Sequence, residues 1–365
     1  MEGLGLTAGP DTFWRGKRVL VTGHTGFKGA WLTLWLHRLG ADVAGYALAP
    51  AQTPNAFALA RLEELAGSEF ADICDRSRLD AAFARHRPQI VFHLAAQALV
   101  RAGYAEPTAT YETNALGTAN VLQAAHASGG VSASVVVTSD KCYDEHAGAR
   151  RHREDDPLGG DDPYSASKAC AEFVAAALRS TWQGNRAKPE MRIATARAGN
   201  VIGGGDWSPD RLVPDAVAAF SSHTKLTIRN PSAVRPWQYV LDPVWAYIAL
   251  ARRLASDDGD RCARAWNFGP PESAERTVAW MADRLAETWG DGAAWNAQAG
   301  DDPPERHVLR LDSSAAAAAL GWATRVDLDR ALELTTRWYH SFHAGRPVRD
   351  LMIDEVERYE RISAA

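Results

Sequence analysis

The sequence predicts an α/β fold: a doubly wound parallel sheet followed by a smaller mixed α/β region. Three observations predict it. Residues 17–200 alternate short apolar runs with segments of helical periodicity. A glycine-rich turn joins the first run to the first periodic segment. After Asn200 the alternation gives way to loops, scattered helices and short strands. Strand–helix alternation implies right-handed crossovers, and so a parallel sheet covered by helices on both faces.

Each element has its own warrant. The run 17–22, KRVLVT, is β-branched and ends at a glycine, as a buried strand does. Over 29–39, Trp31, Leu32, Trp35, Leu36 and Leu39 fall at helical spacing, and Gly40 supplies the C-terminal stop. Strands are predicted at 42–46 and 69–73, a helix over 79–86 stopped by Pro88, and a fourth strand at 89–93. A long helix over 107–128 and a fifth strand at 133–138 follow. Asp162 and Pro163 open the next helix, which runs to about 182, and 192–197 is a sixth strand. Beyond Asn200, residues 203–207 read as a loop. Helices are predicted near 210–221, 243–255, 275–289 and 327–344, with strands at 225–229, 265–268 and 307–311. The alanine run 315–319 reads as helix rather than low complexity.

Composition bounds the function. The chain has 365 residues, 46% hydrophobic and 23% charged, with a formal net charge of -5. That is an ordinary globular composition, long enough for one large or two closely joined domains. Its only dense basic run, Arg150-Arg151-His152-Arg153, is followed at once by Glu154-Asp155-Asp156, so no nucleic-acid footprint is expected. Cys74, Cys142, Cys170 and Cys262 are too dispersed for a zinc knuckle or a redox pair, and reduced thiols of a cytoplasmic protein are expected. The first ten residues lack the pattern of a signal peptide, and no run is apolar enough to span a membrane. The histidines show no metal-binding spacing, and no metal is expected.

Gly23-His24-Thr25-Gly26-Phe27-Lys28-Gly29 follows the first strand and opens the first helix. Glycines three apart permit a tight turn, close approach of backbone to a pyrophosphate, and close helix–strand contact. This is a Rossmann-type signature. It makes 14–200 a dinucleotide-binding domain and 201–350 mainly a substrate-binding cap that shares its core. Thr25, Phe27 and Lys28 belong to the cofactor loop with the three glycines. The end of the second strand, residues 45–50, carries no acid for the adenosine ribose. Lys28 or Arg61 facing a 2′-phosphate would suit NADP, so NAD and NADP both stay open. Asp72 and Ile73 suit an adenine-edge contact, and Leu94, Ala95, Ala96 and Gln97 suit a cofactor lying on backbone. His93 reads as a structural histidine at a strand end.

The chemistry is concentrated between residues 136 and 168. Tyr164 and Lys168 lie one helical turn apart on one face. A nearby ammonium lowers a tyrosine from its ordinary pKa of about 10 and makes it a base for a sugar or alcohol hydroxyl. Hydride transfer needs only these two and a hydroxyl, here Ser139. The adjacent Asp140 and Lys141 point to further proton chemistry, such as elimination of water. Cys142 adjoins them, but the chemistry needs no thiol.

Together these segments resemble the extended short-chain dehydrogenase/reductase family that acts on nucleotide sugars, over about residues 14–340. Gly23, Gly26 and Gly29 match its cofactor loop, Tyr164 and Lys168 its catalytic pair, and Ser139 its hydroxyl position. The finer similarity is to the 4,6-dehydratases of that family that take CDP-glucose. It is carried by residues 24–29, 139–143, 199–207 and 235–238, and by a lysine at 141 where the thymidine branch has a glutamate. The missing acid after strand two departs from the family's NAD pattern.

The resemblance implies an internal redox cycle. Tyr164 takes the 4-hydroxyl proton as hydride leaves C4, while Lys168 keeps Tyr164 ionised and holds the nicotinamide ribose. Ser139 bonds the 4-oxygen, and Asp140 protonates the departing 6-hydroxyl. Lys141 takes the C5 proton if its pKa is lowered; fully charged, it stabilises the enolate instead. The diphosphate falls to Asn200 and Arg235, with Arg306 next. Asn267 either touches it or ends a strand, and Arg235 has the alternative of an ion pair with Asp242. Trp207 and Trp237 would flank sugar or base. The helices over 107–128 and 163–182 would pair with a second subunit, giving a homodimer or dimer of dimers. An epimerase or reductase, or a non-catalytic cofactor-binding relative, are the competing readings.

Overall fold

The computed structural model describes residues 12–144, 150–183, 191–298 and 309–362. Its first half runs β1 (Arg18–Thr22), α1 (Phe27–Arg38), β2 (Asp42–Ala47), α2 (Ala56–Leu59), β3 (Gly67–Phe70), α3 (Arg76–His86), β4 (Ile90–His93), α4 (Val100–Ala105), α5 (Pro107–Tyr111), α6 (Gly117–Ser128), β5 (Ala133–Val137), α7 (Pro163–Gln183) and β6 (Arg192–Ala198). The second half runs β7 (Asn200–Ile202), α8 (Leu212–Ser221), β8 (Leu226–Ile228), β9 (Val234–Tyr239), α9 (Leu241–Leu254), β10 (Ala265–Phe268), β11 (Glu275–Thr277), α10 (Val278–Trp289), β12 (Trp295–Ala297), α11 (Ser314–Leu320), α12 (Leu328–His343) and α13 (Val348–Ile362).

β1 lies inside a seven-stranded sheet of order β10-β6-β5-β4-β1-β2-β3, and every pairing in it is parallel. The order reverses between β1 and β4. At such a switch point the connecting loops part and open a crevice beyond the strand ends. Alternation along β1 sends Val19 and Val21 to one face and Leu20 to the other. The first face is covered by α1 and α9, the second by α3, α6 and α7. Trp35 of α1 is fully buried, stacks on Trp245 at 5.7 Å and donates its indole N–H to Glu360 at 2.8 Å. Full burial of one large apolar side chain of this kind contributes on the order of 3 kcal/mol.

Several expectations shift. The third strand is Gly67–Phe70 rather than 69–73. It pairs with β2 only as far as Ala47↔Phe70, and the chain then turns, with Asp72 accepting a hydrogen bond from the Cys74 amide. The helix over 107–128 is interrupted by a π-helical turn, Glu112–Leu116, between α5 and α6. The predicted strand at 265–268 is β10. It joins the first-half sheet beside β6, so the second half contributes an edge strand to that sheet. The strand predicted over 307–311 falls partly outside the described residues; within them Leu311 forms an isolated bridge with His152.

The second half also holds two small sheets, β11-β9-β7 and β12-β8, whose strands β7, β9, β11 and β12 the sequence did not announce. β9 carries Arg235, Pro236 and Gln238, and a proline inside a run argues against a strand. The loop 203–207 is held by α1, whose Trp31 indole donates to the Gly204 carbonyl at 3.0 Å. A Cβ at Gly204 would lie 2.1 Å from the Trp338 ring, so the loop can pass there only as glycine. No helix among the described residues is long and apolar enough to cross a membrane.

Candidate active site

A cleft of about 1260 Å³ opens beyond the carboxyl ends of the central strands, walled on its far side by α8, β8 and β9. Ligand clefts commonly measure about 300–1,000 Å³, so this one has room for two ligands side by side.

The glycine turn forms one end. Gly23 has φ +75°, and a Cβ there would lie 2.6 Å from the Ala95 amide nitrogen. A Cβ at Gly29 would lie 2.0 Å from the Gly23 carbonyl oxygen. β1, the turn and α1 can close together only without side chains at these positions. Gly26 caps α1 with no side-chain bond, which leaves the first-turn amides to the cleft. Gly23, Thr25, Gly26, Phe27, Lys28, Gly29, Asp72, Ile73, Leu94, Ala95 and Ala96 all line the cleft, as expected of cofactor contacts. The Thr25 hydroxyl is already donated to the Leu48 carbonyl at 3.0 Å, tying the turn to the end of β2. A dinucleotide fits this end: close backbone, small side chains and an uncapped helix start.

Two expected cofactor residues behave differently. Gln97 does not line the cleft. Its amide donates to Thr110 and accepts from the Leu99 N–H, and its backbone is bonded to Asn114. Lys28 lines the cleft but turns inward, its Nζ 3.5 Å from the Tyr247 hydroxyl and over that ring. Burial, then the charges of Lys168 and Arg211, push its pKa down to about 7, with Asp140 opposing. It faces Tyr247 of α9 and the charges of Lys168, Arg211 and Asp140. Arg61, the other candidate for a 2′-phosphate, is 72% exposed and paired with Glu64.

The candidate reaction centre is built by the end of β5 and the start of α7. After β5 the chain stays extended through Ser139 and enters a 3₁₀ turn, Asp140–Cys142. The Ser139 hydroxyl accepts from the Lys141 amide at 3.2 Å and donates to Asp140 Oδ1 at 3.0 Å. Asp140 is buried against the backbone of Gly199, where a Cβ would lie 2.7 Å from its Oδ2. Asp162 starts α7 by accepting from the Ser165 amide at 2.9 Å, which sets the helix phase so that Tyr164 and Lys168 both line the cleft. Gly103 lets α4 approach, since a Cβ there would lie 3.2 Å from the Tyr164 nitrogen. Ser139, Asp140, Lys141, Tyr164 and Lys168 therefore meet in one wall.

Electrostatics correct one expectation. Tyr164 is not lowered: burial pushes it up to about 12, opposed by its hydrogen bond with Ser139 and reinforced by Asp140. Lys168 is itself pushed down to about 8 by burial, with Cys142 and then Glu172 holding it up. Burial disfavours the charged form of each, and in both it is the largest cause. His93 is the structural residue expected. It is buried between the hydroxyls of Thr22 at 2.7 Å and Thr118 at 3.0 Å, and burial lowers it to about 3.

On the substrate side Asn200 and Arg235 line the cleft. Arg235 is 4% exposed and donates to the Val234 carbonyl. The surface pair with Asp242 does not form, because Asp242 is buried and accepts from the Arg325 amide and the Tyr359 hydroxyl. Asn267 is absent from the cleft lining. It is fully buried, accepting from the Tyr143 hydroxyl at 2.6 Å and donating to the His152 carbonyl at 2.8 Å. Its alternative as a strand-end residue is the one the geometry fits. Arg306 lies outside the described residues. Trp237 lines the cleft, whereas Trp207 packs on Trp338, Tyr339 and Phe342. Sequence reasoning missed Arg101, Asp210, Arg211, Asp215 and Arg229, which complete the far wall. The charges around the predicted start of the helix at 210 were the available signal.

Comparison with known proteins agrees with this geometry. Residues 19–269 match the model of the NAD dependent epimerase/dehydratase family. The chain is 44% identical over 349 residues to the CDP-glucose 4,6-dehydratase of Salmonella typhimurium, covering 95% of this chain and 97% of that one. It is 28% identical to a dTDP-glucose 4,6-dehydratase of Streptomyces griseus, over 88% of this chain and 94% of the relative. Among solved structures, a dTDP-glucose 4,6-dehydratase from Streptomyces venezuelae, determined with NAD bound, superposes with a TM-score of 0.74 at 25% identity, covering 90% of this chain and 98% of that one. With the glycine signature loop lining the cleft, a family model matching residues 19–269 and a relative 44% identical over 95% of the sequence, this chain belongs to the NAD dependent epimerase/dehydratase family.

Proposed function

We propose that the protein is a CDP-glucose 4,6-dehydratase, a hydro-lyase that converts CDP-D-glucose to CDP-4-dehydro-6-deoxy-D-glucose and water. The observation that carries this reading is the Asp140–Lys141 pair, fixed in the same cleft wall as Ser139, Tyr164 and Lys168. Epimerisation or reduction at C4 has no use for a second acid and base. The 44% identity to the Salmonella enzyme supports both the reaction and the cytidine nucleotide.

NAD is the cofactor on this reading; when bound, it accepts the hydride from C4 and returns it to C6. Inward-turned Lys28 and surface-paired Arg61 remove both candidate cations for a 2′-phosphate, which favours NAD over NADP. Tyr164 removes the proton of the sugar 4-hydroxyl, and Ser139 donates to that oxygen as charge builds. Lys168 supplies the positive charge against which Tyr164 ionises. Once C4 is a ketone, the C5 proton is acidic. Lys141 takes it or stabilises the enolate, Asp140 delivers a proton to the 6-hydroxyl, which leaves as water, and C5 regains a proton as hydride reaches C6. General acid–base groups of this kind contribute about 10²–10⁴ each in rate. Asn200 and Arg235 hold the diphosphate, where an arginine fork matches two phosphate oxygens.

A homodimer belongs to the same proposal. Tyr111, Leu116 and Phe173, on the helical stretch from α5 to α6 and on α7, are exposed large apolar side chains, and pairing those helices with a second subunit would cover them. The cysteines are all free thiols, in keeping with the cytoplasm.

The test is incubation of the purified protein and NAD with CDP-glucose, and separately with dTDP-glucose, followed by alkali-induced absorbance of a 4-keto-6-deoxy product. Signal with CDP-glucose alone is the expected result. Signal with dTDP-glucose alone would overturn the nucleotide, and none with either would overturn dehydration. Asp140→Ala with Lys141→Ser should abolish the signal, whereas an epimerase would survive the pair.

A further inference from the structure

The cleft wall formed by α8 and the chain after β8 carries charge that the reaction does not use. Asp206 accepts from the Ser208 amide and pairs with Arg211, and Asp210 pairs with Arg229 at 3.1 Å and Arg101 at 3.7 Å. Asp215, in the first turn of α8, also lines the cleft, yet among the described residues no lysine or arginine forms an ion pair with it. On the nucleotide-sugar reading, with glucose at Tyr164 and diphosphate at Arg235, this wall is the part of the same cleft that falls to the base. Beside Asp215 the wall offers the apolar side chains of Leu226 and Ile228, against which a flat ring can rest.

We propose that Asp215 is the base-selecting residue, its carboxyl accepting a hydrogen bond from the exocyclic 4-amino group of cytosine. The inference rests on the nucleotide-sugar reading above and deepens it. Cytosine presents a donor at N4 and an acceptor at N3. Uracil and thymine present the reverse, an acceptor at O4 and a donor at N3. A carboxylate is acceptor-only, so it pairs with the cytosine amine and sets two acceptors face to face with a uracil O4. Burial, then the neighbouring charge of Asp210, raises Asp215 to about 6, with Arg229 and a hydrogen bond from the Asp210 backbone opposing and Asp206 adding to the rise. The charged carboxylate is the state that discriminates: a protonated carboxyl could donate to N3 and accept from N4 of cytosine, but could equally donate to O4 and accept from N3–H of a 4-keto base. A carboxylate already paired with arginine, such as Asp210, has less acceptor capacity left for a base.

The experiment compares kcat/KM for CDP-glucose and UDP-glucose, which differ only in the base edge, in wild type, Asp215→Asn and Asp215→Ser. A carboxamide can turn either its oxygen or its NH₂ to the base. The CDP/UDP ratio should therefore fall by roughly tenfold or more, through KM rather than kcat. Calorimetric titration with CMP and UMP reads the same discrimination without catalysis, and either variant that folds suffices. Wild type preferring CDP-glucose with both variants leaving the ratio within about twofold would overturn Asp215 alone. Wild type using dTDP-glucose in place of CDP-glucose would overturn the proposed function itself.

Discussion

Glu172 and Arg197 form a buried ion pair, Oε2 to Nη2 at 2.8 Å, with both side chains 3% exposed. Glu172 lies two helical turns beyond Tyr164 on α7, and Arg197 lies on β6. Thr138 and Thr195 also donate to the carboxylate, at 2.5 and 2.7 Å, and Arg197 donates to Tyr143 at 2.7 Å. The network thus clamps both flanks of the Ser139–Lys141 turn and joins them to the helix that carries Tyr164 and Lys168. Burial opposes it, yet the Arg197 charge and then the hydrogen bonds from Arg197, Thr138 and Thr195 hold Glu172 below the usual carboxylate range.

Removing one partner leaves the other charged and buried, which costs about 3–5 kcal/mol. Glu172→Gln should therefore lower the unfolding free energy by that order in urea titrations. The joint replacement Glu172→Leu, Arg197→Met should cost clearly less than Glu172→Gln. A double variant as unstable as the sum of the single ones would show that the pair is not the unit.

Gly199→Ala tests the backbone against which Asp140 rests. The new methyl would meet Asp140 Oδ2 at 2.7 Å and Pro236 Cγ at 3.0 Å, so the carboxylate must move. A displacement near 1 Å at a reacting group costs about 10²-fold in rate. Expected is a kcat loss of that order for dehydration, with NAD affinity unchanged in a binding titration. Unchanged kcat would show that Asp140 needs no fixed position.

The parallel sheet was legible because its strands are buried on both faces and read as continuous apolar runs, as in 17–22 and 133–138. β9 was not, because its pairing tolerates Pro236 and only Arg235 and Trp237 of its side chains line the cleft, which breaks the apolar run. That Ser139, Asp140, Lys141, Tyr164 and Lys168 share one wall of the cleft was legible because they come from two short segments of the chain. The far wall was not, since Arg101, Asp210 and Arg229 meet only through tertiary packing. Side-chain direction was the other gap. Gln97 and Asn267 were placed at the cleft by chain position, but Gln97 turns to Thr110 and Asn267 to Tyr143 and His152. Lys28 turns to α9 because the second position of α1 faces that helix.

Lys28 makes stability depend on pH. Its folded pKa is about 7, against about 10.5 for an ordinary lysine. Between those values the unfolded chain binds a proton that the folded protein does not, so stability rises with pH there and the gain is absent below about 7. The slope is at most about 1.4 kcal/mol per pH unit for one group. Lys28→Met removes it. Urea unfolding of the cofactor-free protein at about pH 7 and about pH 8.5 should show wild type gaining about 1–2 kcal/mol more than the variant. Parallel curves would mean that Lys28 stays hydrated and charged.

Tyr164 and Lys168 set the shape of the activity profile. The productive form pairs a deprotonated Tyr164 with a protonated Lys168, while their folded values, about 12 and about 8, stand in the opposite order. Below about pH 8 each pH unit should raise kcat/KM roughly tenfold, because Tyr164 loses its proton while Lys168 keeps its own. Above about 8 the gain in tyrosinate is matched by the loss of lysine ammonium, so the profile levels off instead of climbing on. A further positive charge in the cleft lowers both values and moves the break down, never up. Lys168→Met should lower the whole curve and erase the break. Profiles for CDP-glucose in wild type and variant decide the matter: a wild-type curve that keeps its slope past pH 9, which is about one unit beyond the break, would remove Lys168 as the group that holds Tyr164 in its reactive state.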